Sequence, residues 1–167
     1  MIADISISGL VMSQAHGVDD MEHVRRLFQD YQAWLDVDLC FQDFERELAE
    51  LPGFYAPPGG IVILARDAAD GRVAAGVGVR PLEGEICEMK RLYVRQPWRR
   101  LGLGRRLVEL TLSFAGDAGY RQMRLDTLPK LTEAIGLYES MGFVKVPAYY
   151  NNPLDGVIYL QRPVGEV

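Results

Sequence analysis

The stretch Arg99-Arg100-Leu101-Gly102-Leu103-Gly104-Arg105, entered from Arg91-Leu92-Tyr93-Val94, decides how this chain folds. Glu85 to Val94 is rich in β-branched and aromatic residues and reads as a strand. Gln96-Pro97-Trp98 breaks it, and from Leu103 the apolar residues Leu103, Leu107, Leu110 and Phe114 recur on one helical face. The segment is therefore strand, short loop with two glycines, helix. The first turn of a helix leaves its backbone N–H groups without intrahelical partners and carries the positive end of the macrodipole. Gly102 and Gly104 let another molecule approach that backbone closely. With arginines around it, the loop is a candidate cradle for an anion, most simply phosphate. The plain alternative is a tight helix entry with its arginines in water.

Two better-known phosphate loops are excluded by spacing. Gly104 is followed by Arg105-Arg106, so the G-x-x-x-x-G-K-[ST] pattern is absent and no Ser or Thr is placed to hold magnesium. Leu107 stands where the dinucleotide pattern G-x-G-x-x-G needs its third glycine. What remains is R-x-x-G-x-G over Arg99, Gly102 and Gly104.

Composition sets the frame. The length of 167 residues fits one domain, 1–167, with a sizeable core. Hydrophobic content of 49% and charged content of 25% fit a soluble globular protein. A net charge of −5 argues against general nucleic-acid binding, the basic residues of 90–106 being a local patch. Cys40 and Cys87 make neither a disulfide framework nor a zinc site. No apolar run reaches membrane-spanning length and no signal peptide is evident, so the expectation is a reduced, cytoplasmic protein without membrane contact and without a metal.

Along the chain, residues 2–8 (Ile2, Ile5, Ile7) suggest a first strand. Asp19-x-x-Glu22 reads as a capping box opening a helix that Trp34-Leu35 close. A second helix carries Phe41, Phe44, Leu48 and Leu51 and stops at Pro52-Gly53. Ile61 to Arg66, Val73 to Arg80 and Glu85 to Val94 form an antiparallel meander turned at Asp70-Gly71 and Glu83-Gly84. After the motif helix, which Gly119 stops, come a strand (Arg121 to Thr127), a helix (Thr132 to Met141), a strand from Gly142 to Val146 and a last strand from Val157 to Gln161. The order βααβββαβαββ is α+β, an α/β sandwich in which a mixed, mostly antiparallel sheet is flanked by helices.

The R-x-x-G-x-G loop resembles motif A of the GCN5-related N-acetyltransferase (GNAT) superfamily. Glu133-Ala134-Ile135-Gly136-Leu137-Tyr138-Glu139-Ser140-Met141-Gly142-Phe143 is similar to motif B of the same superfamily, and the order of elements is that of its fold. The phrases Cys87 to Val94 and Leu125-Asp126-Thr127-Leu128-Pro129 resemble a bacterial subgroup of acetyltransferases. The resemblance implies that acetyl-CoA is the cosubstrate and that its pyrophosphate lies on Arg99, Arg100, Leu101, Gly102, Leu103, Gly104 and Arg105. It implies further that the acyl-pantetheine arm lies along Leu92, Tyr93 and Val94, with the amides of Leu92 and Val94 offered to the thioester oxygen. The position after Arg99 is usually a third glycine in the family, and here it is Arg100. Many members carry Asn seven residues before the motif-B tyrosine, where this chain has Leu131; Thr127 and Lys130 are weak substitutes.

Acyl transfer to an amine also needs an acid for the departing thiolate and a base for the amine. The resemblance offers Tyr138 as the acid; a core aromatic is the bland reading. Glu88, eleven residues before Arg99, is the candidate base, and a Glu88–Lys90 ion pair on a half-solvated strand is its alternative. Strand alternation puts Glu88, Lys90, Leu92 and Val94 on one face and Cys87, Met89, Arg91 and Tyr93 on the other. Cys87 therefore points away from Glu88, and direct transfer in a ternary complex is expected over an acyl-cysteine. Phe41, Gln42, Phe44 and Glu45, the Phe54 to Gly59 loop and Tyr149-Tyr150-Asn151-Asn152 are the candidate acceptor wall, suited to a cationic amine. His16 and His23 read as surface.

The sequence thus points to an N-acetyltransferase moving an acetyl group from acetyl-CoA to a primary amine, most simply a small molecule. A protein or peptide N-acetyltransferase and a non-catalytic acyl-CoA sensor remain alternatives, and the resemblance makes a homodimer an expectation.

Overall fold

The computed structural model describes residues 4–165. Eight strands form one sheet in the order β1-β2-β3-β4-β5-β6-β8-β7. The strands are β1 (Ile5–Ile7), β2 (Leu10–Gln14), β3 (Ile61–Asp67), β4 (Val73–Glu83), β5 (Ile86–Val94), β6 (Gln122–Thr127), β7 (Val144–Val146) and β8 (Ile158–Pro163). The helices are α1 (Gly17–Leu35), α2 (Phe44–Glu50), α3 (Leu103–Asp117) and α4 (Thr132–Ser140). Every neighbouring pair is antiparallel except β5 and β6, which α3 connects. The mixed, mostly antiparallel sheet and the β3–β4–β5 meander are as expected.

Two local expectations are corrected. The single opening strand is a hairpin, β1 and β2, turned at Ser8-Gly9, where both residues have positive φ. The order is therefore ββααβββαβαββ, and Ile2 lies outside the described residues. The Asp19–Glu22 capping box does not form. The helix begins two residues earlier at Gly17, and Asp20 instead reaches back to accept the His16 backbone N–H at 2.9 Å.

The sheet separates two apolar layers. On one face the α3 residues Leu103, Leu107, Val108, Leu110 and Ala115 pack with Val77, Val79, Met89, Met123 and Leu160, joined by Tyr138 and Met141 around α4. On the other, Val24, Leu27 and Phe28 of α1 and Phe44 and Leu48 of α2 pack on Val62 and Leu64. Gly78 of β4 is needed there: a Cβ on it would lie 2.6 Å from the Tyr55 ring. Burial of this kind is the main favourable term in folding, and among the described residues it leaves an opening between β5 and β6.

Candidate functional site

That place is the junction of the parallel strands. β5 and β6 pair only from Ile86 to Glu88 against Gln122 to Arg124; beyond Glu88 they diverge. On its other edge β5 carries a bulge. Lys90 faces Gly78 and Tyr93 faces Gly76, so Arg91 and Leu92 together oppose Val77. Arg91 takes φ +63°, a left-handed conformation costly for a non-glycine residue. Its guanidinium is held by both carboxylate oxygens of Glu47 at 3.1 and 3.3 Å and by Gln42 at 2.7 Å. The extra residue flips the alternation, as bulges do. Leu92 and Val94 consequently share the α3 face with Cys87 and Met89, while Tyr93 joins the α1 face. The expected common face of Glu88, Lys90, Leu92 and Val94 is thus corrected, because a strict period of two cannot anticipate a bulge.

At one end of the opening lies a groove of about 650 Å³. Leu92, Tyr93, Val94, Arg99, Arg100, Gly102, Leu103, Gly104 and Arg105 all line it; Leu101 does not, its side chain being exposed to solvent. Gly102 caps α3 at φ +79°, and the first helical bond is Arg106 N–H to Gly102 O. Among the described residues, the backbone N–H groups of Arg100 to Arg105 donate to no protein acceptor. Arg100, where a glycine is usual, adopts φ +65°, so the arginine keeps the backbone shape that glycine takes freely. Arg99 is committed to structure: its Nε donates to Val94 O at 2.9 Å and it lies over Trp34 and Tyr93. Unpaired N–H groups at one end and apolar Leu92, Val94 and Leu137 along the wall suit a ligand with a phosphorylated head and an apolar arm, as acetyl-CoA has.

Behind the groove is a chamber of about 70 Å³ that shares Trp34, Leu92, Leu131 and Ala134 with it, so the two spaces adjoin. Tyr138 lines the chamber, and its hydroxyl makes no hydrogen bond among the described residues. Burial raises its pKa well above that of a free tyrosine, with small contributions from Tyr31 and Asp126, so the proton stays on at neutral pH. Leu131 lies on both walls and Thr127 on the chamber, whereas Lys130 lines the groove and donates to Leu35 O at the end of α1.

Glu88 is 1% exposed and does not line the chamber. Oε1 accepts from Arg80 Nε at 2.9 Å and Oε2 from the Tyr149 hydroxyl at 2.6 Å. Lys90 Nζ lies 3.7 Å from Glu88 and 3.7 Å from Asp126. Asp126 in turn accepts from Tyr150, whose hydroxyl also receives Gln42 at 3.0 Å and Asn152 at 2.8 Å. A buried polar network thus ties β4, β5, β6, the α2 region and the 149–152 segment together, and Lys90, Arg91 and Asp126, not Glu88, are its charged members on the chamber wall. Asp126 was missed as a site residue by sequence reasoning. Its signal was an acid on a strand whose neighbours Leu125 and Thr127 are both buried.

Of the proposed acceptor wall, Phe41, Gln42 and Asn152 line the chamber, Tyr149 and Tyr150 stand behind it in the network, Phe44 is buried under Arg91, and Glu45 is exposed. The Phe54 to Gly59 loop takes no part; Gly59 is bound to Tyr120 elsewhere. Cys87 lines neither space, and burial pushes its thiol up to about 12. His16 and His23 are exposed. No group of three or more potential metal ligands occurs among the described residues, and no helix among them is long and apolar enough to cross a membrane.

A mixed sheet parted between its two parallel strands, with the unpaired N–H groups of a helix N-terminus beside the gap, defines the class: it is the fold of a GNAT acetyltransferase of Staphylococcus aureus, superposing with TM-score 0.77 at 18% identity over 93% of this chain and 99% of that one. The acetyltransferase (GNAT) family model matches residues 21–143. An uncharacterized N-acetyltransferase of Schizosaccharomyces pombe is 40% identical over 160 residues, 95% of this chain and 94% of its own. One of Escherichia coli is 31% identical over 72% of this chain and 71% of its own. The chain belongs to the GNAT family and is an acetyl-transferring enzyme. The relatives span eukaryotes and bacteria, so they do not single out the narrower bacterial subgroup.

Proposed function

We propose that the enzyme moves an acetyl group from acetyl-CoA to a primary amine of a small molecule by direct attack while both substrates are bound. The observation that carries this reading is the pair of adjoining cavities, with free N–H groups of the α3 N-terminus in the one and Tyr138 and Asp126 in the other. Acetyl-CoA supplies the activated thioester. The Arg100 to Arg105 backbone takes the pyrophosphate, and the Leu92 and Val94 amides, at the bulge and the strand end, are the donors for the thioester oxygen. Asp126 Oδ1, with no hydrogen-bond donor of its own, accepts from the amine and takes the proton it loses as nitrogen bonds to the acyl carbon. Tyr138 gives its proton to the sulfur as the C–S bond breaks.

Glu88 enters one step further back. Its carboxylate holds Lys90 beside Asp126, so it acts on the amine through that pair. Cys87, protonated and outside both cavities, has no part. The cytoplasmic location read from composition is kept as part of this proposal. Thiol release from acetyl-CoA over a panel of amines tests it. Turnover that falls at least a hundredfold in Tyr138→Phe supports the reading; wild-type turnover in that variant removes Tyr138 as the acid, and no release with any amine favours an acyl-CoA sensor.

A further inference from the structure

Lys90 is ion-paired on both sides yet hydrogen-bonded on neither. Its side chain is 3% exposed, and burial lowers its pKa. Both carboxylates near it stand at 3.7 Å, beyond hydrogen-bond length, so its ammonium donates to nothing among the described residues. Beside it the Tyr31 hydroxyl also lacks a hydrogen bond and lines the same chamber. Polar side chains that front a chamber with hydrogen bonds still to make are completed by what enters it. The buried Lys90 ammonium and the half-buried Tyr31 hydroxyl both line this chamber and offer donors to an acceptor group brought by a ligand.

The charges around the chamber narrow its class. Arg80, Lys90 and Arg91 are balanced within the network by Glu47, Glu88 and Asp126, so a lone cationic amine would meet Lys90 without compensation. Lys90 and Asp126, opposite in charge and 3.7 Å apart, instead match a group whose own opposite charges stand about that far apart. We infer that the acceptor is an amine carrying a carboxylate on the adjacent carbon, an amino acid, with its amino group at Asp126 and its carboxylate held by Lys90 and Tyr31. The chamber of about 70 Å³ takes that head group. Phe41 and Leu154 on its wall favour an apolar side chain. A peptide terminus offers Lys90 an uncharged amide carbonyl, which accepts a hydrogen bond but brings no counter-charge, so it is held less tightly than a carboxylate. This inference rests on the acyl-transfer reading for its chemistry, but the binding it describes does not.

The test uses matched triplets: leucine and phenylalanine, their amides, and the corresponding decarboxylated amines. Thiol release is measured with acetyl-CoA, and equilibrium binding with CoA in place of acetyl-CoA. The free amino acid is expected to exceed its amide at least tenfold in kcat/KM, and Lys90→Met to bring that ratio toward one through KM. Equal or better use of the amide or the decarboxylated amine in the unaltered enzyme overturns the inference whether or not the variant folds. Acid-selective binding without transfer upholds the head-group site while overturning the acyl-transfer reading. Binding that does not distinguish acid from amide overturns the inference.

Discussion

The groove at the N-terminus of α3 and the chamber behind it are made of different material. The groove is consecutive backbone: Arg100 to Arg105 offer N–H groups because Gly102 and Arg100 hold left-handed conformations and a helix begins there. The chamber is side chain. Its charged and polar walls come from Tyr31 on α1, Lys90 on β5, Asp126 on β6 and Tyr138 on α4, held by a network that reaches back to Arg80 and Glu47. A site of the first kind tolerates changes in most of its side chains, and one of the second kind depends on nearly every one of its own. The two cavities should therefore fail separately.

Removing the Tyr138 hydroxyl is the sharpest way to test that separation. Tyr138→Phe should lower kcat about a hundredfold or more while the stabilisation by CoA stays as in the unaltered enzyme. A matching loss of CoA binding would merge the two regions. Next in size is the support of the chamber. Glu47→Leu leaves the buried Arg91 guanidinium without its bidentate partner, a change that costs about 3–5 kcal/mol and should lower Tm by roughly 10 °C.

A smaller effect is expected at the groove. A Cβ at Gly102 would touch nothing within 4 Å, so Gly102→Val acts only through its φ of +79°. Strain of about 1–3 kcal/mol should weaken CoA by roughly fivefold to a hundredfold with little change in kcat at saturation. The last concerns Cys87, outside both regions and without effect at neutral pH. Its thiol sits at about 12 in the fold against 9.0 for a free thiol, so the unfolded chain loses that proton first as pH rises. The contribution is intact below about pH 9 and declines between 9 and 12, by at most about 1.4 kcal/mol per pH unit. Cys87→Ala should flatten that part of the stability profile in thermal melts.

The same contrast decides what could be read beforehand. The loop, helix α3 and the meander are local patterns of turn residues and periodicity, and they stand in the structure within three residues of their expected ends, β4 running on from Arg80 to Glu83. The bulge at Arg91 left no such mark. It is stabilised by Glu47, far away in sequence, and it reversed the faces of Leu92, Tyr93 and Val94. Asp126 was invisible for a like reason: its importance comes from Lys90 and Tyr150, which neighbour it only in three dimensions. Glu88 stood out through resemblance, yet its place behind the chamber wall is set by Arg80 and Tyr149.

The central claim is that the α3 N-terminus cradles acetyl-CoA through backbone donors. Thermal denaturation with and without acetyl-CoA addresses it directly. Ligand at a hundred times its Kd adds about 2.7 kcal/mol, so Tm should rise by several degrees. An unchanged Tm at millimolar acetyl-CoA would contradict the claim and leave the groove as a feature of the fold alone.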